Sequence, residues 1–188
     1  MKTGEYYLQG AMEVGSGLWI KPDFTFEFFY SYGMIDRIAN GKWEQKGGHL
    51  VLNNTPKPEK DFILVSSSKK TRKQLVIQIS DPNKMVVRSV YCQLQTRSGM
   101  VLEGSSDAHG VIVFDTAEPL SIALIHEFWP DRYSVFEIAN PEENYFEFTI
   151  EPRIVDVEFS DLTLQIGDNM LQGPHPLLKG QEWTYVMS

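Results

Sequence analysis

The chain of 188 residues carries a single cysteine, Cys92, and that scarcity excludes an intrachain disulfide and any cysteine-built metal centre. No apolar run approaches the roughly 20 residues that a membrane-spanning helix needs. The N-terminal Met-Lys-Thr-Gly-Glu-Tyr-Tyr lacks the apolar core of a signal peptide. The cytoplasm is therefore the expected location, with export after removal of a signal as the alternative. Lysine is missing altogether from residues 101–168, where fifteen Asp and Glu stand against two Arg, whereas residues 57–100 hold nine Lys and Arg against three acids. The formal net charge is −8, and the one basic knot, Lys69, Lys70, Arg72 and Lys73, neutralises too few phosphates to predict a nucleic-acid partner. The acidic block predicts instead a face for a basic protein partner. Helical periodicity is lacking too: no segment of ten or more residues repeats its apolar positions as a helix would.

What the chain has is a ladder of short alternating segments. The clearest is Asp23–Tyr32, where Phe24, Phe26, Phe28, Tyr30 and Tyr32 share one face and Thr25, Glu27, Phe29 and Ser31 the other. A period of two builds a pleated strand. The spacing predicts a first strand over Gly4–Val14, a turn at Gly15-Ser-Gly17 and a short strand over Leu18–Lys21. Gly33–Gly41 reads as a glycine-bounded connection with one helical turn, Lys46-Gly-Gly48 as a hairpin turn, and residues 66–73 as a hairpin tip. Later strands are expected over Met85–Thr96, Met100–Glu103, Val111–Phe114, Leu120–Ile125, Tyr133–Ile138, Tyr145–Glu151, Ile154–Phe159, Leu162–Ile166 and Gln181–Val186. The fold class is all-β.

Val90–Phe114 pairs two strands about Gly99 and then turns through Ser106-Asp107-Ala-His-Gly110. That pattern resembles a transthyretin-like or carboxypeptidase-regulatory-like β-sandwich, whose turn usually reads Thr-Asp-x-x-Gly; Ser106 stands here for the threonine. The hydroxyl and carboxylate cap the turn, and Gly110 accepts a positive φ. The resemblance covers about residues 86–138 and implies a prealbumin-like sandwich, most often non-catalytic. Gly4-x-Tyr6, Asp-x-Thr-Phe at 23–26, Gly41-Lys-Trp43 and Leu50-Val-Leu52 resemble the antiparallel strands of lipocalin-like barrels. Leu162-Thr-Leu164, Leu171-x-Gly173 and Trp183-x-Tyr185 could close such a barrel. The expected division is a barrel-like region of residues 1–84 with 145–188, and a sandwich of 85–144 inserted between its halves.

Motifs that carry chemistry are sparse. His126-Glu127 lacks the second histidine that a helical zinc motif needs, and His49, His109 and His175 have no metal-ligand spacing. Gly15-Ser16-Gly17 and Gly104-Ser-Ser106 fall short of a nucleophile elbow. Cys92, on the core face of its strand, reads as an inert thiol. No catalytic residue, metal or cofactor is predicted. The candidate binding residues are Tyr30, Tyr32, Asp36, Arg37 and Trp43, aromatics and charges around one glycine-bounded connection. The leading expectation is a non-enzymatic binding or protein-interaction module, of the inhibitor or immunity type, with an acidic face for a basic partner. A lipocalin-like carrier of a small apolar ligand is the alternative, and a hydrolase the third reading.

Overall fold

The computed structural model describes residues 2–115 and 118–188, and they divide into two compact units, residues 1–57 with 155–188 and residues 58–154. Among them are sixteen β-strands, one 3-10 turn (Pro152–Val155) and no α-helix. None of the described helical segments is long and apolar enough to cross a membrane. The chain opens with β1 (Gly4–Leu8), β2 (Val14–Ile20), β3 (Thr25–Tyr32), β4 (Ile35–Lys46) and β5 (His49–Asn54). Next come β6 (Phe62–Ser68), β7 (Leu75–Ser80), β8 (Val90–Thr96), β9 (Val101–Ser105) and β10 (Val111–Phe114). Then follow β11 (Pro119–His126), β12 (Trp129–Glu137), β13 (Tyr145–Ile150), β14 (Leu162–Ile166), β15 (Met170–Gly173) and β16 (Trp183–Met187).

The first unit is a closed eight-stranded barrel in the order β1-β16-β15-β14-β5-β4-β3-β2. Its tail strands close it, since Tyr6 faces Met187 across β1 and β16, and Leu164 faces Leu50 across β14 and β5. Every pairing in it is antiparallel. Alternation sends Tyr6, Leu18, Ile20, Phe26, Phe28, Leu50, Leu52, Leu164, Leu171 and Tyr185 inward, where they are at most 2% exposed. Eight strands enclose a lumen just wide enough for such side chains to fill it.

Three local expectations fail here. Gly15-Ser-Gly17 is not a turn. The chain reverses earlier, between β1 and β2, and Gly10 and Glu13 take the positive φ values there, 79° and 61°. Gly17 lies mid-strand, where a Cβ would stand 2.7 Å from the Phe29 ring and 2.8 Å from the Tyr6 carbonyl oxygen. Gly33–Gly41 holds no helical turn either: a tight turn at Gly33-Met34 leads directly into β4. Phe24, expected on the strand face, precedes β3 with φ of 64° and packs against Trp43 at 5.1 Å.

The second unit consists of two four-stranded sheets, β10-β7-β13-β6 and β12-β11-β8-β9. They face each other: Phe136 of β12 meets Phe148 of β13 at 4.8 Å, and Gly104 of β9 lies under Ile112 and Phe114 of β10. The strands β6, β7 and β13, grouped with the barrel in the sequence-based division, join β10 in the first of these sheets. The barrel, closed on itself, offers them no free edge. Residues 85–88, expected to begin the β8 strand, form turns. In place of a strand over Ile154–Phe159 there is the 3-10 turn and a single bridge at Asp156. The turn before β10 has the expected chemistry, because Asp107 Oδ1 accepts from the amides of His109 (2.8 Å) and Val111 (2.9 Å). Those two donors hold the Asp107 carboxyl below its usual pKa.

Candidate functional site: a groove on the outer wall of the barrel

The residues singled out in the sequence lie along the β3–β4 hairpin without meeting. Tyr30 points inward, its ring 5.6 Å from that of His175. Arg37, its register partner, is buried and donates from Nε to the Val155 carbonyl (3.1 Å) and from Nη2 to that of Asp156 (3.3 Å). It thus ties the 155–157 segment to the barrel. Tyr32 stands exposed beside the turn, and Asp36 faces outward opposite Ser31. Trp43 belongs to the other end of the hairpin, six residues or roughly 20 Å along β4 from Arg37. There its Nε1 donates to the Lys21 carbonyl at 2.9 Å.

Inside the barrel, His175 and Ser16 make the only contact in this unit that resembles catalytic machinery among the described residues, with Nε2 3.1 Å from Oγ. The protons run the wrong way for a nucleophile and its base. His175 Nδ1 accepts from the amides of Leu177 and Leu178, each at 3.0 Å, so the ring proton sits on Nε2 and is donated to Ser16. The Ser16 hydroxyl then donates to the Phe29 carbonyl at 2.7 Å. Burial pulls the His175 pKa down to about 4, so it is neutral at pH 7. Both side chains are buried. The pair anchors the 175–178 segment in the barrel wall. Among the described residues, no group of three or more His, Cys, Asp or Glu side chains could hold a metal ion.

The cavity that does stand out lies on the outer wall of β1–β4, a groove of about 490 Å³. Strand register builds it in two rows. Glu5, Trp19, Glu27 and Asn40 align across the four strands in one row. In the next, Tyr7, Gly17, Phe29 and Ile38 align in the same way. Gly17 supplies no side chain, so the Tyr7 and Phe29 rings come together edge-on at 6.2 Å across the gap. Tyr7, Trp19, Phe29 and Ile38 are 40–45% exposed, a contiguous apolar surface on the solvent side of a barrel whose core faces the other way. Glu5, Glu27 and Asn40 edge this patch with polar groups.

The groove's electrostatics are acidic at the edge and aromatic at the floor. Tyr7 Oη donates to Glu5 Oε2 at 2.6 Å, and that bond raises the phenol's pKa. Lys21 bonds Glu27, and its ammonium lies 4.3 Å from the centre of the Trp19 ring. Sequence reading passed over these residues, because Tyr7 and Trp19 belong to strands whose facing it did not assign. One signal was available: Phe29 is the lone aromatic on a face otherwise made of Thr25, Glu27 and Ser31. Compared with family models, curated proteins and solved structures, the chain matches none.

Proposed function

We propose that this protein is a non-enzymatic interaction module whose barrel docks a basic protein partner through the outer groove of β1–β4. The observation that carries this reading is the pairing of an exposed aromatic floor, Tyr7, Trp19 and Phe29, with a carboxylate at each side of Trp19, Glu5 and Glu27. Aromatic anchors in a concave apolar surface supply affinity, and carboxylates at the rim choose a cationic partner and speed its approach. The net charge of −8 works in the same direction. The resemblance of residues 86–138 to transthyretin-like sandwiches belongs to this reading as well, since such sandwiches are most often non-catalytic. A lipocalin-like carrier would need room in the lumen, which the core side chains and His175 occupy. A hydrolase would need a base for Ser16, which His175, proton-bearing at Nε2, does not supply.

A photoreactive side chain at Ile38, inside the groove, tests the proposal against one at Thr163, on the outer face of β14. A single protein adduct formed from position 38 alone, lost in Trp19→Ala and weakened by salt, is the expected result. An adduct formed equally from both positions, or one indifferent to Trp19, would overturn it.

A further inference from the structure

We infer that the groove is built for the ammonium of a lysine side chain on the partner, and that Lys21 is its resident stand-in; this rests on the docking reading above. Lys21 directly follows β2, two residues past Trp19, and its stem folds back to set the ammonium over the indole at 4.3 Å. Glu27, the register partner of Trp19 on β3, accepts that ammonium, while Glu5 flanks the same indole from β1. The choice of lysine rests on Lys21 itself, whose point charge meets one ring face and one carboxylate oxygen, Glu27 Oε1; a guanidinium also stacks on aromatic faces but is best matched by a bidentate carboxylate. The incoming side chain would lay its methylenes over Phe29 and Ile38 and reach Trp19 and Glu27 with its charged end. Lys21 is held there by the indole face and by an ion pair whose carboxylate is half-exposed, and an ion pair with a solvent-facing carboxylate holds weakly. It keeps the indole face and the carboxylate covered while the groove is empty and yields to a competitor. Lys21 thereby sets a threshold: a partner must present an ammonium at the right depth before it gains the site.

The experiment measures binding of a dye-labelled acetyl-Leu-Lys-Leu-Lys-amide peptide by anisotropy, beside its Gln and Arg counterparts. The proteins are the full chain and its Lys21→Ala, Trp19→Ala and Lys46→Ala variants, each checked for native circular dichroism. Lys46→Ala makes the same charge change away from the indole. The inference expects Lys21→Ala to bind the lysine peptide about fivefold more tightly, with Lys46→Ala unchanged and the Gln and Arg peptides weaker. Equal binding by Lys21→Ala and the native chain, with Trp19→Ala still impaired, would overturn the stand-in and leave the groove reading in place. Arginine binding as well as lysine would overturn the choice of cation. Binding that ignores Trp19 altogether would sink the groove reading itself.

Discussion

His175 Nε2 donates to Ser16 Oγ across 3.1 Å, and the proton on that nitrogen is fixed by two backbone amides that occupy the other. Around this contact the imidazole packs between Phe28, Tyr30 and Tyr185, stacking on Tyr185 with only 3° between the planes. A histidine seated this way has nowhere to place a second proton, because Nδ1 already faces two donors.

Acid should therefore weaken the barrel through His175. Its folded pKa of about 4 lies below the ordinary 6.5, so the unfolded chain takes up the proton first. Its contribution is fully present above about pH 6.5 and is lost as pH falls through the window down to about 4, by up to about 3 kcal/mol. Urea midpoints measured from pH 7 to 4.5 should fall more steeply for the native chain than for His175→Gln. His126, whose pKa burial also lowers, stays in both proteins and cancels. Parallel pH profiles would show that His175 is not held neutral.

The neighbouring Tyr185 points the other way. Its hydroxyl is fully buried with no hydrogen-bond partner among the described residues, and burial raises its pKa. Removing an orphaned buried hydroxyl recovers its desolvation cost, so Tyr185→Phe should stabilise the protein by about 1 kcal/mol. A raised Tm in calorimetry is the expected outcome. A fall of several degrees would mean that the hydroxyl is bound, for example to a buried water.

Glycine positions offer a sharper contrast. A Cβ on Gly41 would lie 2.1 Å from the Asn53 carbonyl oxygen and 2.6 Å from the Asn54 Cα, both rigid backbone, while one on Gly15 meets nothing within 4 Å. Gly41→Ala should cost about 3 kcal/mol, the upper end for overpacking, and Gly15→Ala about 0.5 kcal/mol or less, as an exposed substitution does. Equal denaturation midpoints for the two would show that β4 and β5 do not approach so closely.

The thiol of Cys92 is walled into the core of the second unit and its pKa is pushed up to about 12 by burial. Only the thiolate attacks. An aromatic disulfide reagent at pH 8 should leave the folded protein untouched for hours and label it completely in urea. Rapid labelling without denaturant would expose an open edge near β8.

Alternation made the all-β class and most strands legible, because a core-facing row such as Phe26 and Phe28 leaves a period of two in the sequence. Asp107 and Gly110 announced their turn for the same local reason. The groove stayed hidden because it depends on register: Glu5, Trp19 and Glu27 are far apart in sequence and align only when β1, β2 and β3 pair. Glycines misled twice. Gly15 and Gly17 resemble a turn, yet Gly17 is there to let Phe29 and the Tyr6 backbone close in, a tertiary demand with no local signature. Tyr30 and Arg37 were bracketed as neighbours through the hairpin, but nothing local could say that Arg37 would turn inward to the 155–157 segment.

The basic tip between β6 and β7 owes its shape to one buried amide. Asn144 Nδ2 donates to the carbonyls of Lys70 (3.3 Å), Arg72 (2.6 Å) and Gln74 (3.2 Å), and its Oδ1 accepts from the Lys70 amide at 2.6 Å. The charged ends of Lys70 and Arg72 lie over the neighbouring Tyr145 ring at 5.2 and 5.7 Å. A tip rich in Lys and Arg is a natural target for trypsin, but cleavage needs the backbone to open locally. Asn144→Ala removes all four bonds and strands the Lys70 amide, at a local cost of about 2–3 kcal/mol. Trypsin should then cut residues 69–73 at least tenfold faster than in the native chain, while circular dichroism stays native. Unchanged cleavage would mean that the Tyr145 ring, rather than Asn144, holds the tip, and Tyr145→Ala would then be the variant that releases it.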